Sequence, residues 1–110
     1  MSPEARKVAK ILEKKYQVCR QIFLLLKFQL ETVKSMLCTV ANENCFTLET
    51  RREALALIFE NGYITGQLNQ AKPKRNQTFD QQILLVRTIR TQVRDWVKKS
   101  EELLSFAQQV

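Results

Sequence analysis

Hydrophobic positions in the first third of the chain recur with alternating steps of four and three residues. The row consists of Ala5, Ala9, Leu12, Tyr16, Cys19, Phe23, Leu26, Leu30, Val33, Leu37 and Val40. Such steps keep side chains on one face of a helix that packs against another helix at a shallow left-handed angle. Ser2 followed by Pro3 signals a helix start, and the polar stretch 41–44 interrupts the pattern. We therefore predict helix 1 over about residues 3–41.

A second helix is predicted over about residues 47–70. Thr50 and Glu53 fit a capping box at its start, although Asn44 or Thr47 can also begin the helix. The apolar positions of this segment are Leu48, Leu55, Ile58, Phe59, Ile64 and Leu68.

Two glycines complicate the second helix. Gly62 and Gly66, spaced by four, either weaken the helix or let another helix approach closely. We favour a continuous helix with a weak point at Gly62, because no loop-forming cluster follows before residue 71.

A second loop and a third helix complete the chain. Residues 71–77 contain proline, asparagine and basic residues, and Thr78 with Gln81 forms a capping box. The third helix, predicted over about residues 78–108, has an apolar face. That face consists of Ile83, Val86, Ile89, Val93, Trp96, Val97, Leu104 and Ala107. Three helices with short connections predict an all-α, up-down-up bundle with long, coiled-coil-like helices 1 and 3, a single domain over residues 1–110.

The inventory of reactive side chains does not favour catalysis. The 110 residues include no histidine, which removes the commonest general base and metal ligand. The eleven carboxylates are scattered along the chain, and no phosphate-binding glycine loop is present. We therefore predict a protein that is not an enzyme, with no catalytic residue, no cofactor and no metal site.

The cysteines and the apolar runs predict a cytoplasmic protein. Cys19, Cys38 and Cys45 are odd in number and lack CxxC spacing, so neither a disulfide framework nor a zinc site is indicated. The N-terminus leads into charged residues rather than a signal peptide. The apolar run 22–26 is far shorter than the ~20 residues that span a bilayer.

The chain is basic, with a formal net charge of +7. A positive stripe is predicted beside the apolar face of helix 3. It consists of Arg87, Arg90, Arg94 and Lys98. The stripe could follow the phosphates of a nucleic acid. Alternatively, it is a solvated flank whose aliphatic stems cover the core edge.

Two apolar residues of helix 1 lie away from its heptad row. At roughly 100° per residue, Leu24 and Phe28 fall on the opposite side of the helix, among polar neighbours. Three explanations remain open for this pair: intramolecular core on a central helix, a homodimer contact, or a docking patch for a client helix.

The order of elements resembles the FlgN-type flagellar and type III secretion chaperones. The local match is the segment 46–55, with Leu48, Arg51, Arg52 and Leu55 in a charged turn between two long helices. This resemblance implies a small cytoplasmic protein that binds an amphipathic terminal segment of a secreted subunit and delivers it for export. It also implies a client site on the C-terminal helix. That site would comprise Val86, Ile89, Val93, Trp96 and Val97.

The favoured function is thus a helical protein-protein interaction module, chaperone-like, that binds an amphipathic helix of a client or a second copy. A basic nucleic-acid-binding protein and a subunit of a larger coiled-coil assembly are the alternatives. Salt distinguishes nucleic-acid binding from binding of a helix in a groove, because phosphate-driven binding weakens steeply with salt and a groove-bound helix should be largely indifferent to it.

Overall fold

The prediction of an all-α, three-helix bundle is confirmed. A computed structural model describes residues 2–75 and 77–108. The helices are α1 (Pro3–Asn42), α2 (Leu48–Gln70) and α3 (Phe79–Gln108), and each packs against the other two. The molecule is a rod with extents of 66 × 20 × 17 Å.

Side-chain caps set the helix starts. The Ser2 hydroxyl accepts a hydrogen bond from the Ala5 amide at 3.1 Å, as predicted for an N-cap. The predicted capping box at Thr50 is wrong, because Thr47 caps α2 and accepts from the Thr50 amide at 3.1 Å. The predicted box at Thr78 and Gln81 is confirmed by two reciprocal bonds of 3.3 Å.

The α1 heptad row is buried only where the other helices reach it. Its buried positions are Cys19, Phe23, Leu26, Leu30, Leu37 and Val40. Residues 3–15 are exposed, including Ala5, Ala9 and Leu12 of the predicted row. The reason is length: α1 has 40 residues and α3 has 30, so the first turns of α1 extend past its partners.

The inner face of α2 is partly polar and has its large apolar residues only in the second half of the helix. Its buried residues are Thr50, Ala54, Asn61, Ile64 and Leu68. Three of the apolar positions of this helix, Leu48, Leu55 and Phe59, are exposed. The helix is continuous through Gly62, as favoured from the sequence.

Two hydrogen bonds to backbone carbonyls join α2 to its neighbours. The Asn61 amide Nδ2 donates to the Leu30 carbonyl at 3.0 Å, and the Trp96 indole Nε1 donates to the Leu57 carbonyl at 2.8 Å. Buried side-chain polar atoms need such partners, so these bonds fix the height of α2 against α1 and α3.

The loop before α3 is fastened to α1. Arg75 pairs with Glu13 and lies 4.4 Å from the Tyr16 ring centroid, while Lys15 lies 4.8 Å from that of Phe79. Hydrogen bonds from Gln17 and Arg75 lower the pKa of the Glu13 carboxyl. The contacts hold α1 in place at the point where it leaves the bundle.

Candidate protein-binding groove

An apolar groove with an acidic rim lies between α2 and α3, at the end of the rod that holds the α2 N-terminus. Its volume is about 740 Å³. The apolar lining consists of Phe46, Ala56, Leu57, Leu103, Phe106 and Ala107. The charged lining consists of Glu49, Glu53, Lys99 and Glu102. We call this feature the α2/α3 groove.

Small side chains and helix ends explain the groove. Ala56 on α2 and Ala107 on α3 leave space that larger residues would fill, and Phe46, in the connection before α2, lies at one end. Phe106 stays exposed beside it, while Leu103 and Ala107 of the same helix are buried. The α2/α3 groove is therefore an open apolar surface rather than an enclosed cavity.

The groove rim is negative although the chain as a whole is positive. Lys99 is held by both carboxylate oxygens of Glu60, at 2.8 and 2.9 Å, which offsets its charge. Glu49, Glu53 and Glu102 remain as exposed carboxylates around the apolar lining. A ligand that complements this surface has an apolar face flanked by cationic groups.

Leu24 and Phe28 lie on the outer surface of α1, with exposures of 48% and 66%. The interpretation of this pair as intramolecular core is wrong, because α2 and α3 both pack on the opposite side of α1. Phe28 borders a shallow depression with Thr32 and Met36. The homodimer and docking explanations of the pair both remain.

The predicted client face of helix 3 is mostly inside the bundle. Val86, Ile89, Val93 and Trp96 have exposures of 5% or less, and Val97 is partly buried against the same core. These side chains pack against α1 and α2 and do not form a free surface. A client that binds the folded bundle therefore has to use another surface.

Three of the four residues in the predicted basic stripe line one groove. Arg90, Arg94 and Lys98 border it together with Glu101. Arg87 is exposed but is outside the lining of that groove. The lining also includes Leu26 and Gln29 of α1, so this groove runs between α1 and α3.

The sequence patterns missed the residues that shape the α2/α3 groove. Phe106 falls outside the apolar row of helix 3, and Leu103 was not assigned to that row, although it is buried. A usable signal was the aromatic Phe106 next to the carboxylates Glu101 and Glu102, because an off-row aromatic in a charged segment indicates surface binding.

Two further features bear on function. Within residues 2–75 and 77–108, no cluster of three potential metal ligands occurs, and no helix is apolar enough over a sufficient length to cross a membrane. The chain matches no protein-family model, and neither the curated proteins nor the solved structures contain a match to it.

Proposed function

We propose that this protein is a non-catalytic interaction module that holds an amphipathic helix of a partner protein. The observation that carries the proposal is the α2/α3 groove, which combines an apolar floor with carboxylates on its rim. Amphipathic helices bind in such grooves through apolar anchors at helical spacing. Each large anchor that is fully buried contributes roughly 1.5–3 kcal/mol.

The partner helix is short and basic on its flanks. The α2 part of the lining runs from Thr47 to Leu57, which is about 15 Å at 1.5 Å per residue. That length accommodates three turns of a bound helix. Lysine or arginine beside its apolar row would face Glu49, Glu53 and Glu102.

A chaperone role is the form of this function that the FlgN-type resemblance implies. In that role the protein shields an apolar segment of a subunit until the subunit assembles or is exported. The predicted client face from Val86 to Val97 is buried. The proposed client site is instead the α2/α3 groove, formed by the last turns of α3 and the start of α2. Glu49, within the segment that carries the resemblance, contributes to the groove rim.

Photo-crosslinking from the groove tests the proposal. A benzophenone amino acid replaces Phe106 in the groove or Leu84 on the outer surface of α3, since both native side chains are large, apolar and exposed. We expect a discrete crosslinked protein from position 106 and not from position 84. Equal crosslinking from both positions, or none from position 106, would contradict a role for the groove.

The charge of the bound helix is tested with two synthetic peptides that share one apolar row. One peptide carries lysine and the other glutamate at the flanking positions. We expect the lysine peptide to bind, and Glu53→Lys with Glu102→Lys to abolish that binding. Preference for the glutamate peptide would rule out the proposed complementarity.

Nucleic-acid binding is a second candidate, favoured by the groove that Arg90, Arg94 and Lys98 share. If phosphates bind there, Arg90→Ala with Arg94→Ala weakens binding and reduces its salt dependence. Titration of duplex and single-stranded oligonucleotides at two salt concentrations measures both effects. A subunit role in a larger coiled-coil assembly would use residues 3–15 of α1, which extend beyond the bundle.

A further inference from the structure

The outer face of α2 carries a second heptad row, which none of the residues described in the structure covers. The row consists of Leu48, Arg52, Leu55, Phe59, Gly62 and Gly66. Its steps alternate between four and three residues, the spacing of a helix that packs along another helix. All six residues are exposed, and Phe59 reaches 87%. We call this row the α2 outer seam.

The two glycines of the seam have no role inside the bundle. Apart from the adjacent residues and the backbone of the same helical turns, no heavy atom of the described chain lies within 4 Å of a Cβ built at Gly62 or Gly66, and neither residue has a positive φ. Glycine in a helix interior is less stable than alanine there. Glycine on this face instead opens the helix backbone to close contact from outside.

The seam is complementary to itself when two copies pair antiparallel. In the register that places Phe59 against Gly62 of the second copy, Leu55 faces Gly66 of that copy. Each large side chain then meets a glycine, and the two-fold axis repeats both contacts. Parallel pairing would place Phe59 against Phe59 and glycine against glycine.

Charge also favours a second copy in this register. Two chains of +7 repel each other, so contact between copies is favoured where positive charge is sparse on the surface. Residues 61–71 contain no charged side chain. Arg52, the charged member of the seam, comes level with the uncharged Asn69 of the second copy.

The exposed area is sufficient for a specific contact. Phe59 and Tyr63 are 87% and 68% exposed, so with ~150–250 Å² per aromatic side chain they present roughly 300 Å². The exposed area rises to about 500 Å² per copy when Leu48 and Leu55, both 55% exposed, and the glycine backbone are added. Two copies then supply the ~1,000 Å² that a specific interface needs.

We propose that the α2 outer seam is an antiparallel homodimer interface in which Phe59 of each copy packs over Gly62 of the other. The inference goes beyond the proposed function and does not depend on the α2/α3 groove. The groove residues Glu49, Glu53 and Ala56 lie roughly a third of the α2 circumference away from the seam. A dimer formed by the seam therefore presents two open grooves.

Sedimentation velocity of the full chain tests the interface, over about 1 to 300 µM, the range of a weak interface. We expect a concentration-dependent dimer. Phe59→Glu should weaken it by at least ~30-fold, as expected for a central aromatic anchor. Leu84→Glu is the matched control, because Leu84 is an exposed apolar residue outside the seam, and it should leave the dimer unchanged.

An exchange of the large and small residues tests the register. Phe59→Gly and Gly62→Phe should each weaken the dimer, and the two together should restore it, because position 59 of one copy faces position 62 of the other. If the exchanged variant loses helical circular dichroism, the double variant Gly62→Ala with Gly66→Ala is used instead to test whether the glycines form the dimer contact. That pair fills the contact and should weaken the dimer about tenfold without loss of helix.

Four results would overturn the interface, and the first three concern the wild type, Phe59→Glu and the exchanged variant. They are a wild-type monomer over the whole concentration range, a dimer that Phe59→Glu leaves intact, and a folded exchanged variant that stays monomeric. An unchanged dimer in the alanine pair would also overturn it. Binding of the lysine peptide is also measured on the Phe59→Glu variant. This measurement distinguishes a wrong dimer interface from a wrong peptide-binding site in the α2/α3 groove.

Discussion

Replacement of Gly62 and Gly66 by alanine should stabilise the isolated monomer. Both residues are in the interior of α2 with nothing within 4 Å of an added Cβ, so the substitution adds no contact and removes none. The expected change is therefore the difference in helix propensity, about 0.8–1.0 kcal/mol per site. The double variant should gain about 2 kcal/mol, since the sites share no partner.

Urea unfolding and thermal melting, at a concentration low enough for the monomer, measure this gain. For a domain of this size, 1 kcal/mol corresponds to roughly 4–8 °C in Tm, so each substitution should raise Tm by about 5 °C. The matched control is Ala56→Gly, an exposed interior position of the same helix. It should lower stability by about 1 kcal/mol.

A loss of stability in either alanine variant would refute this reasoning. That result would mean that the glycines relieve strain within the folded chain itself. No change, together with the expected loss in Ala56→Gly, would mean that α2 is not a fully formed helix at Gly62 in solution. A weaker dimer combined with a more stable monomer is the outcome that separates a binding role of these glycines from a structural one.

Four further predictions follow from individual residues. Asn61→Ala should cost about 2 kcal/mol in urea unfolding, because it removes the buried hydrogen bond to the Leu30 carbonyl. Ser100→Ala should be neutral or stabilising by up to about 1 kcal/mol in the same assay, since the buried Ser100 hydroxyl has no partner within the described chain. A thiol reagent should label exposed Cys45 first and Cys19 last, as followed by mass spectrometry, because burial excludes the reagent and raises the pKa of the Cys19 thiol. Because the pKa of Glu13 is lowered, the stabilisation from its ion pair with Arg75 is complete above the ordinary pKa of 4.5 and is lost as pH falls through the folded-state pKa. The NMR resonances of the Arg75 side chain should therefore shift when the pH is lowered below 4.5, and Glu13→Gln should remove this shift.

The long helices could be predicted because their apolar residues obey one simple rule. In α1 and α3 the apolar residues at regular helical spacing face the core where the helices overlap, so the spacing of Phe23, Leu30, Val93 and Trp96 identified the buried face. The capping box at Thr78 followed from local chemistry alone. What the row in α1 could not reveal is where its partners end, because that depends on the lengths of the other two helices.

The second helix follows this rule only in its second half, where Ile64 and Leu68 are buried, so the buried face of its first half could not be assigned from hydropathy. Its buried face uses Ala54 for close approach and Asn61 for a hydrogen bond to α1, whereas Leu55 and Phe59 point outward. A pattern method takes the largest apolar residues as core, so along the first half of α2 it selects the outer face. Long-range hydrogen bonds, such as that from Asn61 to the Leu30 carbonyl 31 residues away, hold the helix in its true orientation.

The exposure of large apolar residues on α2 connects the two proposed surfaces. Apolar side chains that the fold does not bury lower solubility, and glycines in a helix interior lower stability, so both are costs to a chain that only has to fold. In α2 these costs occur together, on the helix that also supplies one wall of the α2/α3 groove. The largest exposed aromatic of the chain, Phe59, lies one turn from Gly62, where an added Cβ would meet only open space. Contact with another protein offsets both costs at once, so α2 is the element whose outer surface should be mutated first in a search for function.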